Sequence, residues 1–143
     1  MSGIDTAGSR RRTGLILLCG LLLTVSAALA QPPAAPGGTV DMAFGTGIDR
    51  ETRALVGKST AFDAQTEQIY CFTRVKGLVP PAAVTHAWYL NGKTMARVEL
   101  NIGSGNWRTW SAKRIRADWT GDWEVKVLDA TGQVLASESF TVQ

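Results

Sequence analysis

The stretch VTHAWYLNGKTMARVELNI, residues 84–102, decides the fold. Val84, His86, Trp88 and Leu90 alternate with Thr85, Ala87 and Tyr89, and a side-chain period of two is that of a strand. Asn91-Gly92 then supplies two residues that accept positive φ, as a tight hairpin turn requires. Beyond the turn Ala96, Val98, Leu100 and Ile102 are apolar, while Arg97, Glu99 and Asn101 are polar. A one-residue slip would bury an arginine and a glutamate, so this pattern fixes the register. The stretch is an antiparallel hairpin with one face turned to a core.

The same period extends in both directions. Val40, Met42 and Phe44 mark a first strand. Gln68 to Val75 places Ile69, Cys71, Thr73 and Val75 on one face and Tyr70, Phe72 and Arg74 on the other, the pattern of a strand covered on both sides near its centre. Trp123, Val125 and Val127 alternate with Glu124 and Lys126, Thr131-Gly132 turns the chain, and Val134 to Val142 returns. No window of useful length carries a helical period, although Ser59 to Glu67 has room for one helical turn. About seven short strands with regularly spaced turns predict an all-β fold, an antiparallel β-sandwich of immunoglobulin-like type, with a small closed barrel as the alternative. A chain of 143 residues with 45% hydrophobic and 19% charged side chains is too apolar for disorder and too short for a multi-domain enzyme.

The N-terminus reads as an export signal. Arg10, Arg11 and Arg12 precede an uncharged run from Leu15 to Ala30 that ends in Ala28-Leu29-Ala30 before Gln31. A basic region, a short apolar run and small residues at the cleavage positions describe a secretory signal peptide over residues 1–30. The run is shorter than the roughly 20 residues of a spanning helix. It predicts a periplasmic or otherwise extracytoplasmic protein with no integral membrane span after cleavage, and leaves retention as an anchor open. Ser9-Arg10-Arg11-Arg12 resembles a twin-arginine signal, but Thr13 and Gly14 stand where bulky apolar residues belong. Leu18 before Cys19 is not the small residue a lipoprotein signal needs.

Residues 31–38, QPPAAPGG, form a flexible Pro/Gly-rich leader, and residues 39–143 a single β-sandwich domain. Removing residues 1–30 leaves 12 basic and 11 acidic side chains, a net charge of +1 instead of +3. The basicity thus belongs mostly to the signal and gives no reason to expect nucleic acid. Cys71 is then the lone thiol and predicts a buried side chain with no intramolecular disulfide.

Four blocks in order carry a family resemblance: Phe72-Thr73-Arg74-Val75, His86-Ala87-Trp88-Tyr89-Leu90-Asn91-Gly92, Trp107-Arg108-Thr109-Trp110-Ser111-Ala112-Lys113 and Gly121-Asp122-Trp123-Glu124-Val125. From about Val40 to Val142 the chain resembles the bacterial family known as domain of unknown function 2914. That family tends to carry an Arg-Glu-Pro triplet near its first strand, whereas here Arg50-Glu51 is followed by Thr52. The resemblance implies an exported or membrane-tethered all-β domain and carries over no catalytic residue.

The segment Trp107 to Trp123 holds four of the five tryptophans, interleaved with Arg108, Lys113, Arg114 and Arg116. Aromatic faces stack on sugar rings, and guanidinium forks hold carboxylates or phosphates two-handed. Trp107, Arg108, Trp110, Lys113, Arg114 and Arg116 are therefore the candidate ligand-binding residues. Trp88 and Trp123 lie in alternating strands and belong to the core. Trp107 and Trp110 are three apart and face opposite sides unless a bulge at Thr109 brings them together. Arg108 and Lys113 also fit as surface cation–π partners of the indoles. The cluster Asp49-Arg50-Glu51-Thr52-Arg53 reads as local ion pairs at a sandwich corner.

Other chemistry has little footing in the residues. His86, the single histidine, is expected to be buried and hydrogen-bonded; with one thiol it makes no metal site, and no cofactor is implied. No nucleophile elbow, zinc-protease motif or phosphate loop is present. Asp118, Asp122 and Glu124 are the carboxylates a glycan hydrolase would need to bring together. The expected function is a non-catalytic binding module of the cell envelope. Its surface contacts an acidic glycan, peptidoglycan or lipid headgroups. A protein–protein adaptor using the same surface or a sheet edge is the second reading, and a small hydrolase the third.

Overall fold

The computed structural model describes residues 38–143; the expected signal peptide and residues 31–37 of the leader lie outside the described residues. The strands are β1 Thr39–Gly45, β2 Gly47–Ile48, β3 Leu55–Val56, β4 Ala61–Phe62 and β5 Gln68–Lys76. They continue as β6 Ala82–Leu90, β7 Lys93–Ile102, β8 Asn106–Arg114, β9 Gly121–Leu128 and β10 Val134–Val142. One sheet has the order β1-β5-β8, the second β4-β10-β9-β6-β7, and β2-β3 is a small hairpin of its own. All pairings are antiparallel except β4 with β10. β7 and β8 end in different sheets, so the fold is a sandwich and not a closed barrel.

Alternation does the work the sequence pattern assigns to it. Ile69, Cys71, Thr73 and Val75 of β5 face the interior, where Ile69 and Cys71 share a cluster with Trp88, Trp123 and Phe140 from the second sheet. Trp123 stacks on Phe140 at 5.8 Å between ring centroids, and Trp88 meets Trp123 edge-on at 6.5 Å. Val75, Val84, Ile102 and Val127 form a second apolar cluster, with Trp107 against it. Burial of two indoles and a phenyl ring contributes several kcal/mol, at about 25 cal/mol per Å² of apolar surface.

Local chemistry sets the turns. Asn91 and Gly92 both have positive φ (46° and 82°), as the hairpin reading requires. The hairpin carries one feature its sequence does not announce. Trp88 pairs with Ala96 and Tyr89 with Thr94, so Met95 is the extra residue of a bulge and packs on the core. Ser59 to Glu67 forms no helical turn. The Ser59 hydroxyl binds the Ala61 amide and carbonyl, and Asp63 accepts the Gln65 N–H at 2.7 Å. Such short-range bonds compete with a helix. Between them β4 lies parallel to β10, which delivers Phe62 to the edge of Phe140.

One polar chain crosses the apolar interior. Thr73 and Ser111 project from the three-stranded sheet, His86 and Trp88 from the five-stranded one, and all four are buried. His86 Nδ1 lies 2.8 Å from Ser111 Oγ and Nε2 lies 3.2 Å from Thr73 Oγ1. Trp88 Nε1 donates to Ser111 Oγ at 3.1 Å, and Thr73 Oγ1 donates to the Thr109 carbonyl at 3.3 Å. A single hydrogen assignment uses every donor once. Trp88 donates to Ser111, Ser111 to Nδ1, Nε2–H to Thr73, and Thr73 to Thr109. The opposite tautomer would leave the Ser111 proton with no acceptor. No buried side-chain polar atom is left unpaired among the described residues.

Burial holds the His86 pKa down to about 4, from an ordinary 6.5. Between those values the unfolded chain binds a proton that the folded chain refuses. The stability this gives is complete above pH 6.5 and is lost as pH falls toward 4, in all on the order of 3 kcal/mol. Urea unfolding from pH 7.5 to 4 should show this fall; a curve that is flat through this range contradicts the assignment. Ser111→Ala strands both the Trp88 N–H and Nδ1, and should cost about 2 kcal/mol in the same experiment at pH 7.5.

Candidate functional site

The two faces of β5 and β8 divide cleanly. Register pairs Val75 with Trp107, Thr73 with Thr109 and Cys71 with Ser111 on the interior side. On the outer side it pairs Arg74 with Arg108, Phe72 with Trp110, Tyr70 with Ala112 and Gln68 with Arg114. No bulge interrupts β8, so Trp107 and Trp110 face opposite ways. Trp107 is half-buried against the second apolar cluster, and a Cβ on Gly103 would lie 2.8 Å from its ring.

The hairpin β2-β3 brings a further arginine to the outer face. Its turn is built on Asp49, whose Oδ1 accepts the Glu51 N–H at 3.0 Å, the Thr52 N–H at 2.7 Å and the Thr52 hydroxyl at 2.8 Å. These bonds hold the Asp49 carboxyl below its usual pKa. The expected ion pairs within the 49–53 cluster do not form; the Asp49 carboxylate is engaged with its own turn instead. Arg53 follows in a left-handed conformation, φ 56°, uncommon for a residue with a side chain. Its guanidinium lies over the Trp110 ring at 5.1 Å and reaches the Arg108 carbonyl at 3.5 Å. Arg108 returns a bond from Nη1 to the Thr52 carbonyl at 3.4 Å.

Three arginines thus belong to one face. Arg74 and Arg108 stand directly opposite one another, a like-charge pairing that costs stability, and Arg53 joins them over Trp110. Arg74 Nε donates to Asn106 Oδ1 at 2.9 Å. None of the three is in an ion pair among the described residues; the ion pairs there are Lys76–Asp41, Arg116–Asp118 and Lys126–Glu124. Stacking fixes the plane of Arg53 and leaves part of its donor edge open. The arrangement suits an anion held by forked hydrogen bonds.

The other candidates lie elsewhere. Lys113 and Arg116 flank Trp119, at 5.0 and 5.4 Å from its ring, beyond the end of β8. Arg116 also grips Asp118 through Nε at 2.9 Å and Nη2 at 3.1 Å. Arg114 is exposed on the outer face, beside a cleft of about 400 Å³ lined by Glu67, Gln68, Arg114, Ile115 and Arg116. The six sequence candidates therefore fall into three places: Trp107 inside, Lys113 and Arg116 around Trp119, and Arg108, Trp110 and Arg114 along the outer face of β8. Arg53 and Arg74 were missed. Arg74 was legible as the outward residue of its strand, whereas Arg53 comes from a hairpin whose path no local pattern reveals.

Of the three candidate hydrolytic carboxylates, Asp122 and Glu124 are two residues apart on β9, and Asp118 precedes that strand. Asp118 is held by Arg116, Glu124 Oε1 accepts from Ser137 at 2.7 Å, and Asp122 sits where its backbone N–H meets Asn91 Oδ1. Cys71 is buried, and desolvation pushes its thiol pKa far up. His86 is enclosed in the polar chain described above. Among the described residues no three His, Cys, Asp or Glu side chains gather as a metal site would require.

Comparison with known families bears on the second half of the chain. A model of the family described as "Protein of unknown function (DUF2914)" matches residues 81–142, which is β6 to β10. Three of the four resemblance blocks fall inside that range, and Phe72-Thr73-Arg74-Val75 lies before it. Arg108, Trp110 and Arg114 are within the match; Arg53 and Arg74 are not. No curated protein matches the chain.

Placement of Arg53 depends on close approach of the hairpin to β1. A Cβ on Gly45 would stand 2.7 Å from Leu55 Cδ1. Gly45→Ala should therefore push β3 outward, lift Arg53 from Trp110 and cost about 1–3 kcal/mol through overpacking. Acrylamide quenching should register one newly accessible tryptophan. Unchanged quenching at that loss of stability would show the hairpin to be placed by other contacts.

Proposed function

Since the chain carries a DUF2914 region over residues 81–142, we propose that it is a non-catalytic binding module of the cell envelope that takes an acidic glycan on the outer face of β5 and β8. One observation carries this reading: Arg53, Arg74 and Arg108 share that face and none of them is in an ion pair among the described residues, since Asp41, the carboxylate opposite Arg74 on β1, is paired with Lys76. Three like charges on one sheet face are a standing cost, and an anionic ligand is the group that relieves it. Location in the envelope rests on the signal-peptide reading of residues 1–30.

Charge, not sugar stacking, is the basis for the choice of ligand. The Trp110 face is occupied by Arg53, Trp119 is flanked by Lys113 and Arg116, and Trp88 and Trp123 are buried. Carboxylates on a glycan can instead be held by guanidinium forks, whose charge-assisted bonds are worth about 1.5–3 kcal/mol each.

Arg108→Ala should weaken binding of polygalacturonate by about tenfold at low salt, equivalent to about 1.4 kcal/mol, as measured by calorimetry. Raising the ionic strength should erode the wild-type affinity by screening. Arg97→Ala removes the same charge from an exposed position on the other sheet and should change nothing. Equal losses in the two variants would mean that net charge, not this face, attracts the polymer.

A further inference from the structure

Outer-face residues of β8 make a line. From the arginine cluster the strand presents Arg108, Trp110, Ala112 and Arg114 in succession, each two residues from the last. At about 3.3 Å per residue, Arg108 and Arg114 stand on the order of 20 Å apart. The middle of the line is low. Ala112 has only a methyl group, and beside it on β5 is Tyr70. The far end opens into the cleft of about 400 Å³ beside Arg114. β8 is also the edge of its sheet, so no further strand of that sheet walls the line on one side.

We infer that this line is a track for an extended acidic polysaccharide, bound at one end by Arg53, Arg74 and Arg108 and at the other by Arg114. The inference rests on the anion-binding reading of the outer face and adds the form of the ligand to it. Arg114 is on no ion-pair contact among the described residues, and it lies too far from the cluster to share a single anionic group. Two cationic stations separated by the uncharged pair Ala112 and Tyr70 complement a polymer with carboxylates at intervals. A small anion fills only the first station. A polymer that reaches both gains from effective concentration, since its second contact is made within the same complex.

Length dependence tests the track. The full chain would be titrated with digalacturonate, with octagalacturonate and with phosphatidylglycerol vesicles. The octamer should bind at least about tenfold more tightly than the dimer. Arg114→Ala should abolish that advantage and leave dimer binding unchanged, and Arg114→Lys should restore part of it. Arg108→Ala should weaken both oligomers. Equal affinity for the two lengths, with Arg114→Ala silent, overturns the track but leaves the anion site standing. Failure of every anion to bind overturns the underlying reading together with the track. Binding to vesicles alone, with neither oligomer competing, assigns the face to a lipid surface and overturns the glycan in both. Arg114 is exposed, so loss of folding does not complicate these variants; near-UV dichroism of each confirms it.

Discussion

The bond between His86 and Ser111 is the constraint on which the sandwich depends. Apolar packing alone tolerates sliding of one sheet over the other, because buried methyl groups are non-directional. A buried imidazole with one oriented donor and one oriented acceptor does not. It requires Ser111 and Thr73 of one sheet to stand where Nδ1 and Nε2 of the other can meet them. Trp88 is tied to the same hydroxyl, so the largest interior side chain is placed by the same device. The polar chain adds little net free energy while intact, yet any half-satisfied arrangement is costly. It therefore selects one packing of the sheets over its neighbours.

That selection reaches the surface through the period of the strands. Ser111 and Thr73 alternate with Trp110 and Phe72, and Arg108 and Arg74 follow on the outer side. Fixing the inner residues fixes the outer ones, since successive side chains leave opposite faces of one backbone. Arg74 and Arg108 stand on two of the strands that carry the polar chain, and Arg53 reaches the outer face from the β2-β3 turn. These side chains are long and exposed, but Arg74 and Arg108 alternate along the backbone with buried residues of the polar chain. A rigid base lowers the ordering cost of holding an anion with several guanidinium groups.

Much of the sandwich was legible because period-two patterning and turn chemistry are local. Val84 to Ile102, Gln68 to Val75 and the final pair gave their strands, inward faces and turns, and the seven long strands match the expected number. Ser59 to Glu67 was misread because its fate depends on a partner: β10 accepts Ala61 and Phe62 as a parallel neighbour. Met95 escaped for a similar reason, since a bulge is a relation between strands. For the site, alternation alone separated Trp107 from Trp110 once β8 proved regular. Grouping Lys113 and Arg116 with Arg108 relied on closeness in sequence, which a strand spreads over two faces and about 20 Å. Arg53 lay beyond any such reading, because it crosses from the β2-β3 turn to β8 over 55 residues.

The departure at Thr52 has a physical meaning in this light. Where the resemblance implies proline after Arg-Glu, this chain has a residue whose N–H and hydroxyl both bond to Asp49 Oδ1. Proline has neither group, so two of the three bonds that build the turn would be lost. The remaining bond, from the Glu51 N–H, would leave Arg53 free of the closed geometry that its left-handed backbone reflects. Thr52 also lends its carbonyl to Arg108, so one residue both shapes the turn and fastens it to β8. Arg108 and Arg114 belong to the half of the chain that matches the family, and Arg53 to the half that does not. The outer face thus combines a cationic strand that lies within the matched region with an arginine that one turn outside that region holds in place.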